Sequence, residues 1–269
     1  MADSIITLTT DFGTGSPFVA AMKGVILSIN PAARIVDLSH AIPPFDLRHA
    51  AFFLAESLQY FPPNTLHVVV VDPEVGSDRS VLFVNVGGQR LLVPDNGCWA
   101  LLAEGQSQPL RVIRVSEPRF FRPTVSATFH GRDIFAPVAA YLSLGVSPAD
   151  LGPAVTHWRQ LAWPTPTRQG TQVHGEVIFV DHFGNLITNI PASMLPGFPA
   201  GASRVIVPDV PSPHKVRTYA DGLKRELVAL ISSNGLLEIA EVQGSAARRL
   251  GAGVGLPIHV ESVEDRVTR

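Results

Sequence analysis

Short apolar runs alternate, over the first half of the chain, with longer stretches in which apolar residues recur every three or four positions. SIITLTT, ARIVDLS and TLHVVVV are of the first kind and are predicted strands. TLHVVVV is too uniformly apolar to alternate, as expected at the centre of a sheet covered on both faces. Between these runs, SPFVAAMKGVILSI and DLRHAAFFLAESLQYF read as helices, with Ser16 capping ahead of Pro17 and Asp46 a second candidate cap. SVLFVNV and RLLVP flank Gly87-Gly88-Gln89, which predicts a hairpin. GRDIFAPVAAYLSLG reads as a further helix, interrupted or kinked at Pro137.

Strand–helix alternation predicts an α/β domain with a central, mostly parallel sheet over residues 1–155, with functional groups on loops at the carboxyl ends of strands. Residues 156–171 are rich in Pro and turn formers without periodicity and read as a linker. From 172 to 269 the runs VHGEVIFVD, NLITNI, SRVIVP, ELVALISS, GLLEIAEV and LPIHVES predict a smaller, mainly β domain of sandwich or barrel type.

Composition narrows the function classes. At 269 residues, 46% apolar and 16% charged, the chain can bury a substantial core, and a net charge of −2 gives no electrostatic case for nucleic acid or an anionic membrane. The single cysteine, Cys98, can form no internal disulfide and points to a reducing, cytoplasmic setting. MADSIITLTTDFG lacks the basic n-region of a signal peptide, and no apolar run approaches the roughly 18 to 20 residues of a membrane span.

Polar clusters interrupt the apolar pattern: TTDFGTGSPF at Asp11, VDPEVGSDR at Asp72 and Arg79, TFHGRD from His130 to Asp133, VDHFGNLITN from Asp181 to Asn189, and ISSNGLLEIA around Ser233. Each has a structural reading beside a functional one. Asp11 before Phe12-Gly13 can shape a turn, and Asp181-His182 and Ser232-Ser233 can do the same. Asp72 and Arg79 can be a structural ion pair, and His130 a satisfied loop histidine. No metal-ligand spacing, Walker A loop or Gly-x-Gly-x-x-Gly fingerprint occurs, so neither a metal nor a nucleotide cofactor is expected.

Taken in order, TTDFG, VDPEVGSDR, PDNG, FHGRDIFAP, VDHFGNLITNI and SSNGLLEIA resemble the S-adenosyl-L-methionine hydroxide adenosyltransferase family, hydrolytic relatives of the fluorinating and chlorinating enzymes. The resemblance covers essentially the whole chain. It implies cleavage of S-adenosyl-L-methionine at ribose C5′ by a water-derived nucleophile, giving adenosine and L-methionine, with no cofactor. It places the water-handling set at Asp72, Arg79 and His130, leaving open which of them takes the proton. It also implies a ribose contact at Asp11, an amino-group contact at Asp181, a carboxylate contact at Ser233 and an adenine reader at Asn185. Phe183 and Tyr219 resemble aromatic neighbours of the base, and Phe45 stands where the halogenases place a Trp. Those relatives carry Tyr at the positions of Asp72 and His130, which favours a hydrolase over a halogenase, and they carry an Arg at that of Asn234; a non-catalytic adenosine or S-adenosyl-L-methionine binder is the further alternative. Family members are homotrimers with the site between the first domain of one subunit and the second of its neighbour, and the same assembly is expected here.

Overall fold

The computed structural model describes residues 5–104 and 110–262 and divides the chain into two compact units, the first ending at Leu161 and the second starting at Ala162. In the first unit β1 (Ile5–Thr10), β2 (Arg34–Ser39), β3 (Leu66–Val70), β4 (Val81–Val86), β5 (Gln89–Pro94) and β6 (Arg111–Val115) form a sheet in the order β2-β1-β3-β5-β4-β6. The first four strands in that order are parallel, and β4 runs antiparallel to both its neighbours. The β4–β5 hairpin turns through Gly87 and Gly88, both at positive φ, the geometry that matches strand twist in a two-residue turn.

Helix α1 (Pro17–Ile29) follows β1, and α2 (Leu47–Ser57) lies between β2 and β3. Ser16 and Asp46 accept from the backbone N–H of Phe18 and His49, so both sequence-predicted caps are made. Short α3 (Ala100–Ala103) follows β5, and α4 (Ala136–Ser143) follows β6. Met22 and Ile26 of α1, with Val138, Ala139 and Leu142 of α4, cover one sheet face at Ile6, Leu8, Val68 and Val70. Ala50 and Leu54 of α2 cover the other at Val69, Val71, Leu82 and Val84. Residues 68–71 are all buried, at roughly 1.5–3 kcal/mol per side chain, so the register of β3 is firmly fixed and Asp72 inherits its position from it.

β2 and β3 lie on opposite sides of β1, so the chain reverses its direction across the sheet there. A crevice therefore opens at the carboxyl ends of β1 and β3, where Thr10 pairs with Val70. Beneath it Thr7 Oγ1 meets His67 Nδ1 at 2.7 Å, across 60 residues of sequence. Pro137 does not kink a continuous helix. Gly131–Phe135 is instead a single π-helical turn, with Ala136 N–H donating to Gly131 C=O, and Pro137 falls in the first turn of α4, where its missing N–H costs nothing.

The second unit consists of β7 (Thr167–Gln169), β8 (Gln172–Val180), β9 (Leu186–Pro191), β10 (Ser203–Ile206), β11 (His214–Lys215), β12 (Leu227–Ile231), β13 (Leu236–Glu241), α5 (Ala246–Leu250) and β14 (Pro257–Ser262). Its strands run in the order β10-β14-β8-β9-β13-β12-β11, with β7 also on β8, a nearly closed barrel-like sheet. The long β8 pairs with β14 through its first half and with β9 through its second, and so turns the corner between them. Val177, Leu186, Ile190, Leu237, Ile239 and Val260 fill the interior. β6, β7 and β11 go beyond the strands read from the sequence. β7 lies within 156–171, so the end of that stretch belongs to the sheet and is not linker.

Candidate functional site

The first unit places Asp72, Arg79 and His130 in one hydrogen-bonded chain. Arg79 donates from Nε to Asp72 Oδ1 at 3.0 Å and Oδ2 at 2.8 Å, and from Nη2 to Oδ2 as well. The same Nη2 lies 2.8 Å from His130 Nδ1. The two charged side chains are 3% and 1% exposed, so the pair is removed from screening water and its charge-assisted bonds are held in fixed geometry. Gly76, at φ 83°, lets this loop reach the next: a Cβ there would stand 2.2 Å from Ala127 C=O, in the segment that carries His130.

Arginine only donates, so His130 Nδ1 must accept, and a neutral imidazole then carries its proton on Nε2. Burial, followed by the Arg79 charge, pulls the His130 pKa below the usual imidazole value, against the opposing pull of Asp72 and Asp133. The neutral, Nε2–H form is the one this arrangement selects.

Asp72 and His130 line a cavity of about 300 Å³ together with Asp11, Phe12, Phe18, Phe45, Val75 and Phe129 among others. Asp11 stands at the end of β1 and accepts the Phe45 N–H through Oδ2 at 2.9 Å. Phe45 is 67% exposed and has φ 67°, an uncommon conformation for a bulky residue, held by that bond at the cavity rim. Asn96, in the PDNG segment, donates to Val71 C=O at 2.9 Å and ties the loop after β5 to the chain just ahead of Asp72.

In the second unit Asp181, Phe183, Asn185 and Tyr219 line a cavity of about 690 Å³, with Arg225, Gln243 and Arg248. The turn between β8 and β9 is closed by Asp181, which accepts the Asn185 backbone N–H through Oδ1 and the Asn185 amide through Oδ2, both at 2.8 Å. Gly184 sits there at φ 86° with Ser245, the α5 cap, 2.0 Å from where a Cβ would lie, so α5 buttresses the turn. Phe183 is thereby turned outward, 73% exposed. Tyr219 donates its hydroxyl to Glu238 Oε1 at 2.6 Å. Burial, and the Asp181 charge after it, raise the Glu238 pKa despite that bond; burial and the Glu238 bond raise that of Tyr219. Glu238, buried on β13, is absent from the sequence reading because it stands inside a run that otherwise reads as core.

Ser233 does not join this cavity. β13 runs antiparallel to β9, with Leu236 opposite Pro191 and Ile239 opposite Leu186. The β12–β13 turn therefore lies at the Pro191 end of β9 and the Asp181–Asn185 turn at its other end, about 20 Å away along a six-residue strand. Among the described residues no group of three or more His, Cys, Asp or Glu is arranged to hold a metal ion, and no helix is long and apolar enough to cross a membrane.

Residues 6–152 match the SAM hydroxide adenosyltransferase N-terminal domain family, and residues 175–259 match the corresponding C-terminal domain family. The (R)-S-adenosyl-L-methionine hydrolase of Salinispora arenicola is 38% identical over 258 residues, covering 95% of this chain and 97% of that protein. A fluorinase of an Actinoplanes species is 27% identical over 292 residues, covering 95% and 97%. The crystal structure of an uncharacterized conserved protein from Thermotoga maritima superposes with a TM-score of 0.88 at 34% identity, covering 95% of this chain and 99% of that one.

Proposed function

Because the chain belongs to the SAM hydroxide adenosyltransferase family, we propose that it hydrolyses S-adenosyl-L-methionine at ribose C5′ to adenosine and L-methionine. The observation that carries this reading is the Arg79 bridge between Asp72 and His130 at the cavity wall. Water held there accepts from His130 Nε2–H and donates to the Asp72 carboxylate, which leaves a lone pair directed at C5′. As the oxygen attacks, the C5′–S bond breaks with its electron pair passing to sulfur, and the water proton passes to Asp72 and then to solvent. Arg79 holds the Asp72 carboxylate fixed through its hydrogen bonds, and an arginine, which only donates, is not itself the base.

Methionine leaves as a neutral thioether, so no general acid and no Lewis acid is required, and the reaction as proposed uses no cofactor. Positioning in line with the C5′–S bond, in a cavity with four Phe side chains in its wall, supplies the rate. Asp11 has an oxygen remaining beyond its bond to Phe45 and is assigned to the ribose hydroxyls. Asp181 is assigned to the substrate amino group, Asn185 to adenine through its free amide oxygen, and Phe183 and Tyr219 to the faces of the base. Ser233 is left out of this set.

We assign the active form to a homotrimer, supported by the outward Phe45 and Phe183 at the two cavities, and place it in the cytoplasm. The test is incubation of the pure protein with S-adenosyl-L-methionine in ¹⁸O-labelled water. Adenosine carrying the label at its 5′-oxygen is expected. Unlabelled adenosine, a halogenated nucleoside in halide buffer, or no product at all would overturn the assignment.

A further inference from the structure

The Asp133 carboxylate is fully buried, and its hydrogen bonds tie it both to the adjacent Arg132 and to the segment that ends in His130. Arg132 donates to it from Nε at 2.7 Å and Nη2 at 2.9 Å, and Arg122 from Nη1 at 3.1 Å. The Ser126 N–H donates to Oδ2 at 2.9 Å. Its own backbone closes the same segment: Arg122 N–H donates to Asp133 C=O at 2.9 Å, and Asp133 N–H donates to Phe129 C=O at 3.2 Å. One residue thus grips residues 122–129 at their start, middle and end, immediately before the imidazole that borders the cavity.

We infer that Asp133 is the positioning residue that fixes His130, holding its Nε2–H toward the reacting oxygen by clamping residues 122–129 against the π-helical turn. Two arginines for one buried carboxylate exceed what charge balance requires. Arg122 belongs to the loop itself, and Arg132 covers the Phe129 ring, its guanidinium carbon 5.0 Å from the centroid. The π turn belongs to the same device. A wider turn at Gly131–Phe135 keeps Asp133 inward while Thr128, Phe129, His130 and Gly131 remain at the cavity. The charged groups bearing on His130 are Arg79, Asp72 and Asp133, so neutralising Asp133 removes one of two influences that favour its protonated form.

The inference rests on the proposed hydrolysis for its kinetic readout and not for its spectroscopic one. The experiment compares the full-length wild type with Asp133→Asn, which keeps shape and removes charge. kcat for adenosine formation is expected to fall about 10- to 100-fold with KM within about threefold, the cost of a displaced catalytic group. The His130 imidazole signal, followed by NMR, is expected to titrate at lower pH than in the wild type. A folded Asp133→Asn protein with wild-type kcat and wild-type His130 titration overturns the inference. Where Asp133→Asn does not fold, Arg132→Gln takes its place, because that side chain is one third exposed and supplies only two of the bonds. A roughly threefold or greater loss of kcat with an altered His130 titration is then expected, and no change in either overturns the clamp. If the wild type makes no adenosine, hydrolysis fails as a reading, while the clamp is decided by amide hydrogen exchange: faster exchange over residues 122–129 in Asp133→Asn is expected, and unchanged protection there overturns it.

Discussion

Arg79 Nη2 lies 2.8 Å from His130 Nδ1 while the same guanidinium engages both carboxylate oxygens of Asp72. This single contact assigns the imidazole tautomer, and in the proposed mechanism it divides the work: histidine donates and aspartate accepts. It also sets a sign for pH dependence. A protonated His130 has no Nδ1 lone pair to offer Arg79, and two cations then face each other. kcat is expected to hold through neutral pH and fall on acidification through the lowered His130 pKa, below the usual imidazole value. A pH–rate profile of adenosine formation whose acid limb lies above that usual value would contradict the assignment.

Replacing Asp72 removes the proposed proton acceptor and leaves Arg79 buried without its carboxylate partner. Asp72→Asn is expected to lower kcat by about 100-fold or more while the dissociation constant for S-adenosyl-L-methionine, measured by calorimetry, changes by less than about threefold. It is also expected to cost about 3 kcal/mol of folding stability, because one half of a buried pair is left uncompensated. Near wild-type turnover would remove Asp72 from the mechanism.

A second buried histidine serves stability. Burial, together with the Arg90 charge and against the Gln89 bond, lowers the His67 pKa to about 4. The folded state therefore binds fewer protons than the unfolded chain between about pH 6.5 and 4, and stability rises with pH across that window. The contribution is intact above the unfolded value and is lost as the pH falls, by ~3 kcal/mol if the full shift is realised. His67→Gln is expected to flatten this part of the profile, read as the difference in urea midpoint between pH 7 and pH 4.5. An unchanged pH dependence in the variant would count against the assignment.

In the second unit, Tyr219→Phe removes the hydroxyl that satisfies Glu238. A loss of about 1–3 kcal/mol of stability is expected from the unpaired buried carboxylate, and KM is expected to rise more than kcat falls, since the ring lies on the binding cavity. Glu238→Gln, which can still accept the hydroxyl, is expected to have the smaller effect on KM. The reverse order would mean that Glu238 acts on binding by a route other than its bond to Tyr219.

Much of this architecture is legible in the amino-acid order because its parts are locally encoded. Ser16 and Asp46 announce their helices, Gly87-Gly88 its hairpin, and the valines before Asp72 a doubly covered strand. RVIRV is less legible, since the arginines at 111 and 114 mask a strand that lies at the sheet edge. The two-residue β11 and three-residue β7 depend on neighbours that their own residues do not specify. Spatial register is the deeper obstacle: Asp181 and Ser233 sit in adjacent polar motifs of the second unit, and only strand pairing shows that they lie at opposite ends of β9. Glu238 is concealed in the same way, an acid within a run that otherwise reads as core.

The reversal of chain direction at β1 also bears on the order in which the protein is made. Asp11 is synthesised before the rest of its cavity, yet β1 gains its central partner only when β3 has been added, and the cavity wall at Thr128–Gly131 comes later still. Contacts such as Thr7 to His67 close a long loop and cannot form on a short nascent chain. The first unit therefore completes the Asp72–Arg79–His130 chain of hydrogen bonds only late in its own translation, so a ribosome stalled before residue 130 displays a strand end still lacking its partners.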